Sequence, residues 1–358
     1  MVWSPKDVYD LTLPILPAWK YFGLPAYKII KTPNFKSLTH NNSKLNYIMV
    51  IISTTAYLYY FKVGDKNTNS FEKHMTMYRL VASFVNYMGA VIFCHKHKNK
   101  FLSNIEKCAL LQQRLNKLGK KEHSFNKMAK ILLTIYTTKL SSMIVVTVND
   151  IVKISTSESH STVKLGWYCN FITEMFLFYF LIVLRSLYSQ LLNCTKFKES
   201  AQQVKELGKI HKDLNKLAME VNETFGELML LRFSGDFIYL IVGLSSNAVL
   251  NAEYETVLDF VWTFTVYVLW IPMALGFIAL TVWYFEDILH HDARINENLT
   301  NLIEATKQVH LFIFDNQINR LKFTMCGFVD ISLNSFHLMI SAIVTYVVYL
   351  IQFKSMSK

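Results

Sequence analysis

The sequence predicts an all-α membrane protein of seven transmembrane helices, with its amino terminus inside, its carboxyl terminus outside, and inner helical extensions that form an anchor. Three observations predict it. Of 358 residues, 52% are hydrophobic and only 18% charged, against about a quarter charged in ordinary soluble domains. Seven apolar stretches are long enough to cross a roughly 30 Å hydrocarbon layer, which takes about 20 helical residues. The basic residues gather in alternate connecting segments, the usual mark of the cytoplasmic side.

In chain order, residues 1–44 form an inside juxtamembrane segment. Pro14, Pro17, Pro25 and Pro33 stand among lysines there with no uninterrupted apolar core, so it reads as neither a signal peptide nor an eighth span. Trp19, Tyr21 and Phe22 suit the membrane interface. Residues 45–192 hold spans one to four, at 45–63, 77–94, 129–152 and 166–192. Residues 193–226 are an inside helical extension, and 227–285 hold spans five and six, at 227–250 and 259–285. Residues 286–326 carry inside anchor helices, 327–353 are span seven, and 354–358 are an outside tail.

Orientation follows from counting lysine and arginine. With the amino terminus inside, the four inside segments hold six, nine, six and four, whereas the outside segments 64–76, 153–165, 251–258 and 354–358 hold two, two, none and two. Twenty-five against six sets the direction. Cys94, Cys108, Cys169, Cys194 and Cys326 all avoid the outside loops, so no structural disulfide is implied. The sequons at Asn41, Asn193, Asn222 and Asn298 fall on inside segments, out of reach of glycosylation. The net charge of +11 is the inside-loop lysines, and no nucleic-acid partner is read from it.

The inside segments are patterned. Val204, Leu207, Leu214, Leu217 and Val221 recur at helical spacing amid charge, so spans four and five are expected to continue as helices below the membrane. Ile295, Leu299, Leu302 and Ile303 share a face after span six. Two narrow apolar stripes need a partner, either each other or a neighbouring subunit. The alternative is that both lie on the headgroups.

Span seven is two-faced. At 100° per residue, Asn334, His337, Leu338, Ser341, Thr345, Val348 and Gln352 fall on one side, and Met339, Ile343, Tyr346, Val347 and Leu350 on the other. A polar stripe on a spanning helix must meet protein or water. It either hydrogen-bonds helices of its own chain or faces a water-filled path, which one such helix cannot enclose without copies around an axis. In the second case Asn334, Ser341, Thr345, Val348 and Gln352 line the pore, with Gln352 an amide ring near the outer mouth and Val348 an apolar constriction one turn below.

The run "TYVVYLIQF", Thr345 to Phe353, resembles the Thr-Tyr, five apolar residues, Gln-Phe signature of the insect gustatory receptor family, in the last span where that family carries it. Thr345, Tyr346, Gln352 and Phe353 are the signature positions. The resemblance implies a tetrameric ligand-gated cation channel related to insect odorant receptors, with the last helix lining the pore and the inside helices forming an inter-subunit anchor. It further implies a plasma membrane of chemosensory neurons, a small-molecule tastant, and a homotetramer or a heterotetramer with other gustatory receptors. Members that look like sugar receptors often carry Glu directly after the Thr-Tyr pair. Here that position is Val347, which favours a bitter or other non-sugar compound.

A ligand entering from outside would meet the outer halves of spans two to six. Tyr239, Tyr267 and Trp270 lie deeper than interface depth, and Asn149, Asn247 and Tyr78 add amides and a phenol, the lining small organic ligands usually meet. Ionisable residues inside spans are functional candidates. Lys139 and Glu174 come out at similar depths, so they either form a buried pair or Lys139 snorkels inward. Arg185, Arg232 and Lys62 lie near span ends and are expected to snorkel, while Arg232 and Asp236 sit four apart and can pair along the helix.

No enzyme motif is present: no phosphate-cradling Gly-rich loop, no H-E-x-x-H and no G-x-S-x-G. "CHKH" at 94–97 and "HHD" at 290–292 lack a complementary ligand pair and read as interface histidines, so no metal or cofactor is expected. Two rival readings remain. One is a G-protein-coupled-type chemoreceptor without its own pore; the other is a secondary transporter, for which Pro272 and Gly276 in span six would supply a broken helix.

Overall fold

The computed structural model describes residues 7–12, 24–32, 35–41, 48, 50–52, 54–55, 58, 70–118, 125–154, 163–196, 201–249, 257–306 and 321–356. After a single 3-10 turn at Asp10–Thr12 comes an antiparallel hairpin of β1 (Ala26–Thr32) and β2 (Phe35–Asn41), with Thr32 opposite Phe35 and Ala26 opposite Asn41. The described part of 48–58, where span one is expected, is helical. Six α-helices follow: α1 (Ser70–Leu118), α2 (Phe125–Ile154), α3 (Val163–Cys194), α4 (Ala201–Val249), α5 (Val257–Thr306) and α6 (Leu333–Met356). A second, smaller hairpin of β3 (Thr324–Met325) and β4 (Val329–Asp330) leads into α6. The described residues are therefore mainly helical, with two short ribbons that the all-α expectation did not contain.

Helices α1, α4 and α5 have 49, 49 and 50 residues. At 1.5 Å per residue each runs about 75 Å, more than twice the hydrocarbon thickness, so each projects well past a membrane. Among the described residues, stretches of α3, α5 and α6 are long and apolar enough to cross one: Thr173–Cys194, Ile271–Leu302 and Leu333–Leu350.

The projecting half is built from the patterned inside segments. Val204, Leu207, Leu214, Leu217 and Val221 of α4 are all buried, and so are Ile295 and Leu299 of α5, with Leu302 packed at the edge. The α4 stripe closes on α1, whose Phe101, Ile105, Cys108, Leu111 and Leu115 form a third buried stripe, while α5 packs against α3 and α4. The aromatic centre of this packing joins three helices: Phe101 to Phe225 at 5.3 Å, Phe180 to Phe225 at 5.5 Å and Phe93 to Phe101 at 5.8 Å between ring centroids. Spacings in that range suit tilted and edge-on ring pairs.

Helices α1 and α4 run antiparallel here, and charge pairs mark their register. Lys96 meets Glu227 at 2.6 Å, Lys107 meets Glu220, and Arg114 meets Asp213 at 2.7 Å and Glu206 at 2.9 Å. Their carboxylates hold the Arg114 guanidinium further above its ordinary pKa. Deeper in the bundle the buried His211 of α4 lies 2.7 Å from Asp292 of α5, and Tyr188 of α3 donates to Asn215 of α4 at 2.6 Å.

Two boundaries differ from expectation. Span four does not continue inward: α3 stops at Cys194, where Thr195 turns back with its amide on the Leu191 carbonyl at 3.0 Å and its hydroxyl on the Leu192 carbonyl at 2.9 Å. The last helix begins at Leu333, not at residue 327, and the described end of the expected anchor-helix segment is hairpin. Cys326 (φ 54°) and Gly327 (φ 75°) take left-handed conformations that no α-helix continues through. The chain reverses, and Ser332 then caps the new helix by accepting from the Ser335 amide at 3.2 Å.

The β3–β4 hairpin seats on α4. The Thr324 amide donates to Asn222 Oδ1 at 3.1 Å, Phe323 lies 4.6 Å from Phe285 between centroids, and a Cβ on Gly226 would come 3.1 Å from the Cys326 amide nitrogen. Glycine is what permits that backbone-to-helix approach.

Candidate functional site

Helix α6 is the least enclosed of the three crossing stretches: 11% of its window is buried, against 83% in α3. The exposure is one-sided. Ile343 is buried against Leu240 of α4 and Ala274 of α5, with Met339, Val347, Phe237, Ile241, Ile271 and Leu275 packed around them. On the opposite side Asn334, His337, Leu338, Ser341, Thr345, Val348 and Gln352 are all exposed. The bulky face thus grips the chain's own helices, and the polar edge turns away from them.

The hydroxyls on that edge are satisfied locally. Ser341 donates to the His337 carbonyl at 2.9 Å and Thr345 to the Ser341 carbonyl at 2.8 Å. This back-bonding lets a small hydroxyl sit on a spanning helix without a second helix to receive it. Of the signature residues, Tyr346 was expected on the packed side. It is instead 54% exposed at the rim, its ring edge-on to Phe237 at 6.1 Å. The side chain of Phe353 lies outside the described residues, as does that of Ile303.

The expected ligand-binding side chains, Tyr78, Asn149, Asn247, Tyr239, Tyr267 and Trp270, also lie outside the described set, although their backbones belong to α1, α2, α4 and α5. Trp19, Tyr21, Phe22 and Lys62 lie outside it entirely.

At the membrane end of the bundle, three helices deliver four charges to one point. Lys139 of α2 pairs with Glu174 of α3; Arg232 of α4 reaches Glu174 at 2.5 Å and Asp236, one turn along its own helix, at 3.0 Å. All four are largely enclosed, with side-chain exposures of 7%, 11%, 19% and 6% in that order. Phe277 of α5 closes the group, its ring centroid 4.1 Å from the Lys139 ammonium. Among the described residues the node is electrically balanced, two cations against two carboxylates, which is the condition for keeping charges away from water. Removing one partner of such a set costs about 3–5 kcal/mol because a charge is left without compensation.

Of the two alternatives open for Lys139, the structure takes the buried pair with Glu174 rather than inward snorkelling. Arg232 does not snorkel, a correction to the expectation. It enters the span from the inner end, but Glu174 of the neighbouring helix draws it inward, and that carboxylate is invisible to a reading of α4 alone. Arg185 is also held, with Asp287 at 2.5 Å and the Trp283 ring at 5.1 Å. The histidine clusters disperse. His95 is 3.0 Å from the Val91 carbonyl, His97 is 3.6 Å from Glu227, His291 is 2.7 Å from the Asp287 carbonyl, and Asp292 turns to His211.

With this geometry in view, comparisons with known proteins are informative. The sequence pattern of the family described as 7tm Chemosensory receptor matches residues 12–357. Among solved structures, the chain is similar to the insect olfactory receptor OR5 from Machilis hrabei, with a TM-score of 0.64 and 10% identity over 97% of this chain and 98% of that one. It is similar also to the same receptor in complex with eugenol, with a TM-score of 0.62 at the same identity and coverage. At 10% identity these likenesses establish the fold alone. No curated protein matches the chain.

Proposed function

Because the chain belongs to the 7tm chemosensory receptor family, we propose that it is a gustatory receptor acting as a ligand-gated, non-selective cation channel. It sits in the plasma membrane of chemosensory neurons with its amino terminus inside, as a homotetramer or with other gustatory receptors. A small non-sugar tastant opens it from the outer half of the helical bundle, where Tyr239, Tyr267, Trp270, Asn149, Asn247 and Tyr78 are the candidate contacts. That a related olfactory receptor has been solved with eugenol supports a small organic ligand.

One observation carries the channel reading: the edge of α6 bearing Asn334, Ser341, Thr345, Val348 and Gln352 is the exposed one, while the opposite edge is seated on α4 and α5. A spanning helix with an unburied Asn, His and Gln on one side suits a water-filled path made by several copies far better than lipid. Gln352 then lies at the outer constriction, with Val348 one turn inward. Opening requires a ligand that binds the dilated arrangement of α6 more tightly than the closed one.

The test is to express the full chain in cells lacking chemoreceptors and record currents against panels of bitter compounds and sugars. A cation current with non-sugar compounds is expected, with permeability ratios that change in Gln352→Ala. Ligand binding without unitary currents, or permeation unchanged by Gln352→Ala, overturns the pore assignment.

A further inference from the structure

The buried ionic node lies directly behind the seat of α6. Leu240, which shares a buried cluster with Ile343, is one turn beyond Asp236 on the same face of α4; Ala274, the third member of that cluster, is three residues from Phe277 on α5. Both helices that grip Ile343 are therefore fastened to the node at the adjoining turn, α4 through Arg232 and Asp236 and α5 through the Phe277 ring over Lys139. Phe237, next to Asp236, adds the edge-on contact to Tyr346. No comparable fastening joins the described residues of α6 to the node directly; the coupling runs through the seat.

We propose that Lys139, Glu174, Arg232 and Asp236 act as positioning residues for α6. Their charge balance fixes the rotation and spacing of α4 and α5 at the Ile343 seat, and thereby sets how tightly the last helix is held. In a packed membrane interior an unbalanced node relieves its excess charge by releasing or taking up a proton, by moving a helix or by admitting water. The first leaves a buried polar group without its ionic partner, and the other two open the seat one turn away. The net charge of the node matters, not the presence of any one of its members. This inference rests on the reading of α6 as the moving pore helix for its functional meaning, but its structural content needs no current.

The test uses the full chain in native membranes carrying Leu240→Cys together with Ile343→Cys. Disulfide formation during brief copper–phenanthroline treatment is read after denaturation as the loss of two thiols reactive to polyethylene-glycol maleimide. Three backgrounds are compared: the intact node, Glu174→Gln, which leaves one excess positive charge, and Lys139→Met with Glu174→Gln, which restores balance. The expected result is a cross-linking rate slowed at least fivefold by Glu174→Gln and returned to within twofold by the double substitution. Equal rates in all three backgrounds, or a double variant no faster than the single, overturn the proposal, since only coupling between the two positions can make the second substitution a rescue. Asp236→Asn produces the same excess charge while keeping Glu174 between its two cations, and is expected to slow the reaction two- to threefold. If both unbalanced variants fail to fold while the balanced double folds and cross-links normally, charge balance is upheld; if the double fails as well, the proposal falls. Absence of ligand-evoked current with the cross-linking pattern intact would instead remove the channel reading alone.

Discussion

Glu286 of α5 accepts a hydrogen bond from the Leu333 backbone amide at 2.7 Å, across 47 residues of chain. The first turn of α6 thus has two acceptors for its open amides, Ser332 from its own sequence and a carboxylate from another helix. The acidic group also complements the positive end of the helix dipole. Glu286→Ala is expected to lower stability by about 1 kcal/mol, within the range of lost helix caps. Glu286→Gln, which keeps the acceptor and loses the charge, should cost about half as much. Thermal midpoints of the purified protein check the order, and equal effects of the two variants would remove the dipole contribution.

Arg114 bridges two carboxylates on α4 at 2.7 and 2.9 Å, with about a quarter of its own side chain and over two fifths of each partner exposed. Solvent screening limits the value of such a pair. Arg114→Leu should destabilise the inner bundle by about 0.5–1 kcal/mol, and the difference should shrink in 1 M salt, where the screening length is about 3 Å. Denaturation at low and high salt measures both.

Gly226→Val places a branched side chain where a single Cβ already comes 3.1 Å from the Cys326 nitrogen and 3.4 Å from the Thr324 oxygen. Both obstacles are backbone, so the hairpin must move. A loss of about 1–3 kcal/mol is expected from overpacking, with the Thr324-to-Asn222 hydrogen bond broken. A denaturation midpoint unchanged from the parent would show that the hairpin is not held there.

The thiols make a labelling prediction with a pH sign. Cys326 is exposed, whereas Cys108 is buried and its thiol is pushed up to about 12 by loss of solvation. A membrane-impermeant maleimide should therefore modify Cys326 in permeabilised cells, leave it untouched in intact ones if the hairpin is inside, and leave Cys108 unmodified at pH 8 in both. Because its folded pKa lies above the ordinary value of 9.0, burial of Cys108 contributes stability that is complete below pH 9 and declines as pH rises from there toward 12. Cys108→Ala should flatten that alkaline loss.

Much of this architecture is visible in particular residues. The stripe from Val204 to Val221 states its own burial, because charged residues occupy every other side of the turn. Lys139 and Glu174 stand out as charges within apolar runs. The inner half of α1 carries the same signal at Phe101, Ile105, Cys108, Leu111 and Leu115, but the segment 95–128 entered the sequence reading only through its nine basic residues. Other features arise between elements. Arg232 looks like a snorkelling residue until Glu174 is placed beside it. The β3–β4 turn is masked because Phe323, Met325, Phe328 and Val329 continue the apolar character of span seven, so one Gly in "MCGFV" does not outweigh the run. At β1–β2, the prolines and lysines and the lack of a clean apolar–polar alternation obscured two seven-residue runs separated by only two residues, which is itself a hairpin spacing.

The ionic node also bears on how the protein is made. Its members leave the ribosome separately, Lys139 and Glu174 first and Arg232 and Asp236 only after the whole of the intervening chain, a delay on the order of several seconds at 5–20 residues per second. Until then Lys139 and Glu174 balance each other across α2 and α3, and Arg232 arrives with its own counter-charge, Asp236, one turn along α4. Each half is therefore expected to enter the bilayer without net charge, and the node closes when α4 packs against α3.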